Sequence, residues 1–536
     1  MVPLLKKRVI VFEPSGLRLL VGEQTSYIDA VREAGLHVSS HCGGNGTCGK
    51  CKIIIHPAPD PKPSDSEFLS LNEIDNAYRL ACQHIVERDV RVVITAHPSE
   101  SKILLEGDLV RYQWDLEEVN NNQMGIAIDL GTTTIVAYLL ELGTGLQMGQ
   151  AAGLNPQIVY GEDVMTRITY AVTDPEGDEK LAGIVAEKID YLIGELTESS
   201  GLESSKITSL CIVGNTAMHH LLLRADVKSL GVAPYEPTIR GAVIRTGESI
   251  GLRRVANANA YLPPNIAGFV GGDTVGFILS QRLDMTEDVV LGIDIGTNGE
   301  IVLSNRGELS CCSAAAGSAF EGANILNGMR GKTGAIEYIS IKNPNEPPEI
   351  TVIGDEVPQG LCGSGIVDVT AEMILAGILD SGGRLHDMSE RVLETETGLQ
   401  YLITNNDESG AERDIVFTQK DVRQVQLAKG AIHAGGTILL NEAGLSSMDI
   451  DTVLLAGAFG SYIRPESALT IGLFPKVDSN RIVQVGNAAG EGAKTLLLSH
   501  QSREFVEQLV PKVNYLELAN HADFQSIFLD SLKFHE

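Results

Sequence analysis

The sequence of 536 residues predicts two fold classes in series: a small α+β unit, then a two-lobed α/β architecture in which one order of elements occurs twice. Three observations lead there. Short apolar runs around a single helical pattern, with four clustered cysteines, occupy residues 1–96. An apolar-Asp-apolar-Gly-Thr pattern occurs at Asp129 and again at Asp294, each time between two apolar runs. Between these blocks, residues 97–123 change character, with the only tryptophan (Trp114) and the triplet Asn120-Asn121-Asn122. The expected organisation is a domain at 1–96, a linker at 97–123, a first lobe at 124–286 and a second lobe at 287–536.

In the N-terminal unit, Val9–Phe12 and Leu17–Val21 flank Pro14-Ser15-Gly16, a turn between two strands. Tyr27–Gly35 places apolar residues at helical spacing and stops at glycine. A Gly- and Cys-rich loop follows, then the alternating strand Cys51–Ile55, a Pro-rich loop and a last strand, Asp89–Ala96. In the lobes, Gly125–Leu139 and Gly292–Ser304 each read as strand, tight Gly turn and second strand. Ser209–Val213 runs into Gly214-Asn215-Thr216, and Thr452–Ala456 into Gly457-Ala458-Phe459-Gly460. Ile266–Val270 and Arg481–Val485 are expected strands, ending in Gly271-Gly272-Asp273 and Gly486-Asn487 ahead of helices. Two lobes of one order imply a cleft at the carboxyl ends of their strands, where α/β proteins bind ligands.

Composition removes several classes. The net charge of −29 argues against a nucleic-acid or membrane-surface binder, since phosphate affinity needs clustered Lys and Arg. Hydrophobic residues at 43% and charged residues at 21% exclude wholesale disorder. Met1–Ile10 places its lysines inside the apolar stretch, unlike a signal peptide, and no apolar run is long enough to span a bilayer. Eight cysteines in so long a chain do not make a disulfide scaffold.

Half of those cysteines form one constellation. Cys42, Cys48, Cys51 and Cys82 have the spacing C-x5-C-x2-C-x30-C, which supplies the four thiolates of a [2Fe–2S] cluster. Gly43, Gly44, Asn45, Gly46 and Gly49 let the loop direct N–H groups at the sulfurs. A structural zinc site is the alternative, although C-x2-C occurs once and zinc ribbons usually carry two. The five-residue first gap resembles adrenodoxin-like ferredoxins, and the element order fits a β-grasp. His41, His84 and Cys211 read as structural.

The repeated turns carry the second chemistry. Asp129-Leu130-Gly131-Thr132-Thr133-Thr134 has no Walker lysine, and a strand rather than a helix follows it. Backbone N–H groups and hydroxyls in such a turn can still cradle phosphate, with the aspartate holding Mg²⁺ through water. Asp294-Ile295-Gly296-Thr297-Asn298-Gly299 faces it as the second turn, and Gly457–Gly460 offers bare backbone to adenosine. The alternative for a single such turn is a plain hairpin. Two in register, with the Gly-Ala-Phe-Gly run, resemble the acetate and sugar kinase/Hsp70/actin superfamily, an actin-like, ribonuclease H-like duplicated ATPase. That resemblance assigns Asp129, Gly131, Thr132 and Thr133 to the first phosphate motif, Asp294, Gly296, Thr297 and Asn298 to the second, and Gly457, Ala458 and Gly460 to adenosine.

Gly276, Gly490 and Gly492 would let the helices after Asp273 and Asn487 approach closely, or else merely bend them. Asp273 is the candidate to orient the attacking water, with an N-cap carboxylate as the alternative. Ala316–Gly322 and Gly360–Gly365 are Gly-rich enough to line the cleft. Lys429 and His433 either flank the base or sit on a solvated helix face.

From end to end, through GGNGTCGKC, DLGTTT, DIGTNGE, GLCGSG and LAGAFG, the chain resembles the reductive activators of corrinoid-dependent enzymes. The resemblance implies a β-grasp ferredoxin-like domain followed by the two-lobed ATPase. It also implies ATP- and Mg-dependent reduction of a Co(II) corrinoid protein of a methyltransferase system to Co(I). A low-potential electron donor, a homodimer and a cytoplasmic location in anaerobes complete what it implies. No cysteine follows Cys362, so the subtype with a C-terminal [4Fe–4S] extension is not expected. Two other readings stay open here. One is an ATP-driven activator of acyl-CoA dehydratase or reductase type, using Cys311, Cys312 or Cys362. The other is a small-molecule kinase or scaffold with the cluster as redox sensor.

Overall fold

The computed structural model describes residues 7–13, 18–22, 24–34, 36, 38, 42, 44–94 and 123–535. The turn Pro14-Ser15-Gly16, His41, Gly43 and the expected linker up to residue 122 lie outside the described residues. The chain divides into two compact units, Met1–Glu100 with Pro156–Gly177, and Ser101–Asn155 with Asp178–Glu536.

The first unit is built on a five-stranded sheet of β1 (Arg8–Glu13), β2 (Arg18–Val21), β3 (Lys52–His56), β4 (Tyr78–Leu80) and β5 (Val90–Val93). Its order is β2-β1-β5-β3-β4, with β1 and β5 parallel and every other pair antiparallel. Strand alternation sends Ile10, Phe12, Ile53, Ile55 and Val92 to one buried face. The helix Tyr27–Glu33 covers that core with Tyr27, Ile28, Ala30 and Val31. Its start is fixed by Ser26, whose Oγ accepts from the Asp29 N–H at 3.1 Å. From the same helix, Arg32 Nε donates to the Val159 carbonyl at 2.8 Å, and its guanidinium lies 5.1 Å from the Tyr160 ring centre. Those contacts fasten the segment Pro156–Gly177 into this unit.

The second unit repeats one sheet plan. In its first sheet, β6 (Met124–Leu130), β7 (Thr134–Glu141) and β8 (Gln147–Leu154) form an antiparallel meander. β9 (Ile207–Val213) adds parallel to β6, and β10 (Val243–Thr246) with β11 (Asn259–Leu262) completes the edge. In the second sheet, β12 (Val289–Ile295), β13 (Gly299–Asn305) and β14 (Glu308–Ala314) repeat the meander. Thr452–Ala456 runs parallel to β12, and Ile482–Gly486 parallel to Thr452–Ala456. The central strands β6 and β12 are near-continuous apolar runs, as strands covered on both faces must be.

Ile266–Val270 is not a strand. The parallel neighbour of β9 lies upstream at Asn259–Leu262, because Pro263 and Pro264 lack N–H groups and end the ladder. The Ile266 and Ala267 N–H groups turn back onto the Val270 carbonyl instead, each at 3.0 Å.

The helices Gly272–Gln281 and Ala488–Leu498 pack backbone against backbone. A Cβ on Gly492 would stand 2.2 Å from both Cα and O of Gly276. Close approach is therefore the role of this glycine pair. Lys429 and His433, on the helix Gln419–Glu442, take neither expected place. Lys429 is fully buried, donates to the Lys533 carbonyl and lies 5.3 Å from the Phe534 ring centre. His433 Nδ1 bonds the Gly472 carbonyl at 3.0 Å, and its ring meets that of His535 edge-on. The C-terminal segment covers this helix face.

Candidate functional site

Two sites emerge, one in each unit. In the first, the four constellation cysteines are free thiols and come together as two pairs. Cys42 and Cys48 stand 3.4 Å apart at sulfur, Cys51 and Cys82 3.3 Å. The loop that carries them needs glycine at Gly46 (φ 77°) and Gly49 (φ 65°). A Cβ on Gly46 would also strike Gln83 at 2.2 Å. The pairing polarises the sulfurs. Cys42 is pulled down to about 4 by the Cys48 thiol that donates to it, helped by the N–H groups of Thr47 and Gly44 against burial. Cys82 is lowered to about 7 in the same way by Cys51, with help from the Gln83 side chain and the Gly46 N–H. The donor partners Cys48 and Cys51 are pushed up, first by those same hydrogen bonds and then by burial.

Among the described residues, no three His, Cys, Asp or Glu side chains converge closely enough to hold a single ion. Two thiol pairs with amide donors suit a two-iron cluster, in which each iron takes two protein ligands, better than one tetrahedral zinc. His84 is structural: its Nε2 meets Asp65 Oδ2 at 2.6 Å in the core. Cys211 is buried within β9.

The second site is a cavity of about 260 Å³. Both hairpin turns line it, contributing Asp129, Gly131, Thr132 and Thr133 from one and Asp294, Gly296, Thr297 and Asn298 from the other. Asp273 and Gly457 also reach it. Gly460 does not: it packs behind, against Leu455. The side chain of Ala458 lies outside the described residues.

Each turn is closed by its own backbone: the Gly131 N–H donates to the Thr134 carbonyl at 3.0 Å, and the Gly296 N–H to the Asn298 carbonyl at 2.9 Å. Two asparagines fix the first turn from outside. Asn215 Nδ2 donates to Thr132 Oγ1 at 2.9 Å, and Asn487 Nδ2 to Asp129 Oδ2 at 2.9 Å. Both also cap helices, Asn215 through the Met218 N–H and Asn487 through the Gly490 N–H. Gly457 is glycine for a reason: with φ at 82°, a Cβ there would meet Asp294 Oδ1 at 2.4 Å.

Asp273 is not an N-cap. Gly271 takes that position, and Asp273 sits in the first turn, where its Oδ1 accepts from the Thr274 N–H at 2.7 Å. The acids raise one another. Burial lifts Asp129 to about 7, with Asp273 adding repulsion against the Asn487 bond. Asp294 also rises to about 7, by burial and then by Asp273 and Asp129. Asp273 rises to about 6 and Glu300 well above its ordinary value, both chiefly by burial. Such a group of carboxylates favours a proton or a cation between them.

Sequence reasoning missed several participants. Asn487 and Asn215 had a legible signal, since both lobes read strand, Gly, Asn, helix. Glu321 had none beyond its place in the Gly-rich run Ala316–Gly322. Its carboxylate accepts from Thr133 Oγ1 at 3.2 and 3.3 Å and from Thr297 Oγ1 at 2.8 Å. Phe320 and Phe459 stack at 4.8 Å on the cavity wall. Cys362, Gly363 and Ser364 of the second Gly-rich run line it too. Cys311 and Cys312 are buried in β14, with Cys311 pushed up to about 12 by burial.

Residues 11–87 match the 2Fe-2S iron-sulfur cluster binding domain, 124–286 the RACo middle region, and 288–536 the C-terminal domain of RACo, the ASKHA domain. The chain is 35% identical to the corrinoid activation enzyme RamQ of Eubacterium limosum, over 76% of this chain and 70% of that one. It is 24% identical to the [Co(II) methylated amine-specific corrinoid protein] reductase of Methanosarcina barkeri, over 76% and 77%. A solved structure, the reductive activator for corrinoid, iron-sulfur protein, superposes with a TM-score of 0.70 at 30% identity, covering 98% of each chain.

Proposed function

The chain belongs to the RACo family of reductive activators of corrinoid proteins, and on that premise we propose that it uses ATP to pass one electron to a Co(II) corrinoid protein, restoring Co(I) for methyl transfer. The observation that carries this is the presence, in one chain, of two thiol pairs and a carboxylate-lined cavity spanned by two phosphate-type turns. When bound, the [2Fe–2S] cluster supplies a one-electron carrier of low potential, near roughly −400 mV in plant-type ferredoxins. Cys42, Cys48, Cys51 and Cys82 would hold it, with the Gly46 N–H and the Gln83 amide donating to the Cys82 sulfur.

In the cavity, the turn N–H groups and the hydroxyls of Thr132, Thr133 and Thr297 take phosphate oxygens. Asp129 and Asp294 would hold Mg²⁺, and Gly457 would let adenosine lie against backbone. Asp273, with a carboxyl near 6, orients and deprotonates the attacking water. Domain boundaries at 1–96, 97–123, 124–286 and 287–536, a homodimer, an upstream low-potential donor and a cytoplasmic location belong to the same reading. No described helix is long and apolar enough to cross a membrane.

ATP matters because the acceptor lies uphill. Each ~59 mV of mismatch costs about 1.4 kcal/mol for one electron, so closure of the cleft must favour a state that binds the acceptor differently. The test is direct: low-potential reductant with Mg·ATP converts a cognate Co(II) protein to Co(I), followed by its visible spectrum. Equal reduction without ATP removes the coupling.

A further inference from the structure

We propose that Glu321 is a clasp between the two phosphate turns, displaced when nucleotide phosphate takes over its hydrogen bonds. The inference rests on the nucleotide reading of the cavity. Thr133 belongs to the turn of the first sheet and Thr297 to that of the second, and one carboxylate accepts from both hydroxyls. Thr297 is only 6% exposed, so its hydroxyl has little access to water as an alternative partner. Hydrogen bonds to an ionised acceptor are about twice as strong as neutral ones. The clasp thus ties the turns across the cavity without any ligand.

A phosphate oxygen and a carboxylate oxygen ask for the same donors. They cannot share a hydroxyl that has one hydrogen to give. Glu321 also adds a negative charge beside Asp129, Asp273 and Asp294, all lining the same cavity. Phosphate must therefore replace Glu321 at Thr133 and Thr297, and the carboxylate must swing away. That movement has a route outward. Glu321 follows Phe320, whose ring stacks on Phe459 at an interplanar angle of 16°. Phe459 sits in the turn directly after the strand Thr452–Ala456. Displacing the clasp shifts this stack, so the phosphates are felt at the end of a core strand of the second sheet.

The experiment measures Mg·ATP and adenosine binding by calorimetry on the full chain, comparing wild type with Glu321→Ala and Glu321→Gln. The expected result is Mg·ATP binding about tenfold tighter for Glu321→Ala, which is about 1.4 kcal/mol. Glu321→Gln, which keeps the shape and one acceptor but loses the charge, should gain about threefold. Adenosine, having no phosphate to compete, should stay within about twofold in every variant. Mg·ATP binding unchanged or weakened in both variants overturns the clasp, and so does an equal gain for adenosine, which signals general loosening. If neither wild type nor variants bind Mg·ATP, the nucleotide reading itself fails, and the clasp with it.

Discussion

Substituting Gly492 by alanine tests whether the crossing of two helices sets the geometry of the cavity. The new Cβ would stand 2.2 Å from Cα and O of Gly276, against an ordinary contact of 3.4–4 Å. Both obstructing atoms are backbone, so no rotamer change relieves the overlap and the helices must part by more than about 1 Å. Overpacking of this kind costs about 1–3 kcal/mol, and a backbone crossing belongs at the upper end. Alanine recovers about 1 kcal/mol as the better helix former, which leaves a net loss of about 2 kcal/mol. The effect on activity should be larger. Gly276 lies one turn after Asp273, and the helix Ala488–Leu498 is capped by Asn487, which holds Asp129. A displacement of 1 Å at reacting groups can cost about 100-fold. Gly276→Ala meets Ala489 O at 2.9 Å as its nearest contact and should be milder. Gly183→Ala, on the exposed face of Gly177–Ser200 with nothing within 4 Å, should gain about 0.5–1 kcal/mol and serves as the control. Thermal melting and corrinoid-stimulated ATP turnover provide the readouts. Wild-type melting and turnover in Gly492→Ala would refute the idea that this crossing positions the acids.

Cys48→Ser should abolish iron–sulfur absorption and bound iron after reconstitution while leaving Mg·ATP affinity intact, because the thiols and the cavity belong to different units. Loss of both properties would make the cysteines structural. Lys429→Met addresses the C-terminal packing through pH. Burial lowers the Lys429 ammonium to about 7 from its ordinary 10.5. The unfolded chain therefore binds this proton more readily, and wild-type stability rises with pH between about 7 and 10.5. Methionine does not ionise, so the stability of the variant relative to wild type should be greatest below pH 7 and shrink steadily toward pH 10. A difference in melting temperature that stays flat across that range would contradict the buried charge.

The duplicated architecture was legible because β6 and β12 are buried on both faces, and such strands read as apolar runs whatever surrounds them. The cysteine loop was legible because cluster ligands must come from a few residues at fixed spacing. Ile266–Val270 misled for a local reason. Its apolar residues are buried by a turn rather than a strand, and composition does not distinguish the two, although Pro263-Pro264 marks where the ladder stops. Lys429 misled because amphipathic periodicity says nothing about a covering segment more than 100 residues downstream. Glu321 was hidden for the same reason. Its partners are hydroxyls on two turns brought together only by the closed fold, and no spacing between them is fixed in the sequence.

The energetic scale of the proposed cycle can be set against these parts. A ligand that drives a two-state protein from 1:99 to 99:1 must favour one state by about 5.5 kcal/mol. At about 1.4 kcal/mol per 59 mV, that corresponds to roughly 230 mV for one electron, the largest uphill gap that a single switch of this size can cover. The cavity has groups of the required strength. Asp129, Asp273 and Asp294 repel one another across it, and an arriving cation converts that repulsion into attraction. Phosphate, at the same time, takes two hydroxyls from a charged acceptor. Both changes depend on the nucleotide's phosphates and metal rather than on its base. On the proposed reading, discrimination between triphosphate and diphosphate, the one distinction a hydrolytic motor must make, therefore falls on residues of the two turns and Glu321.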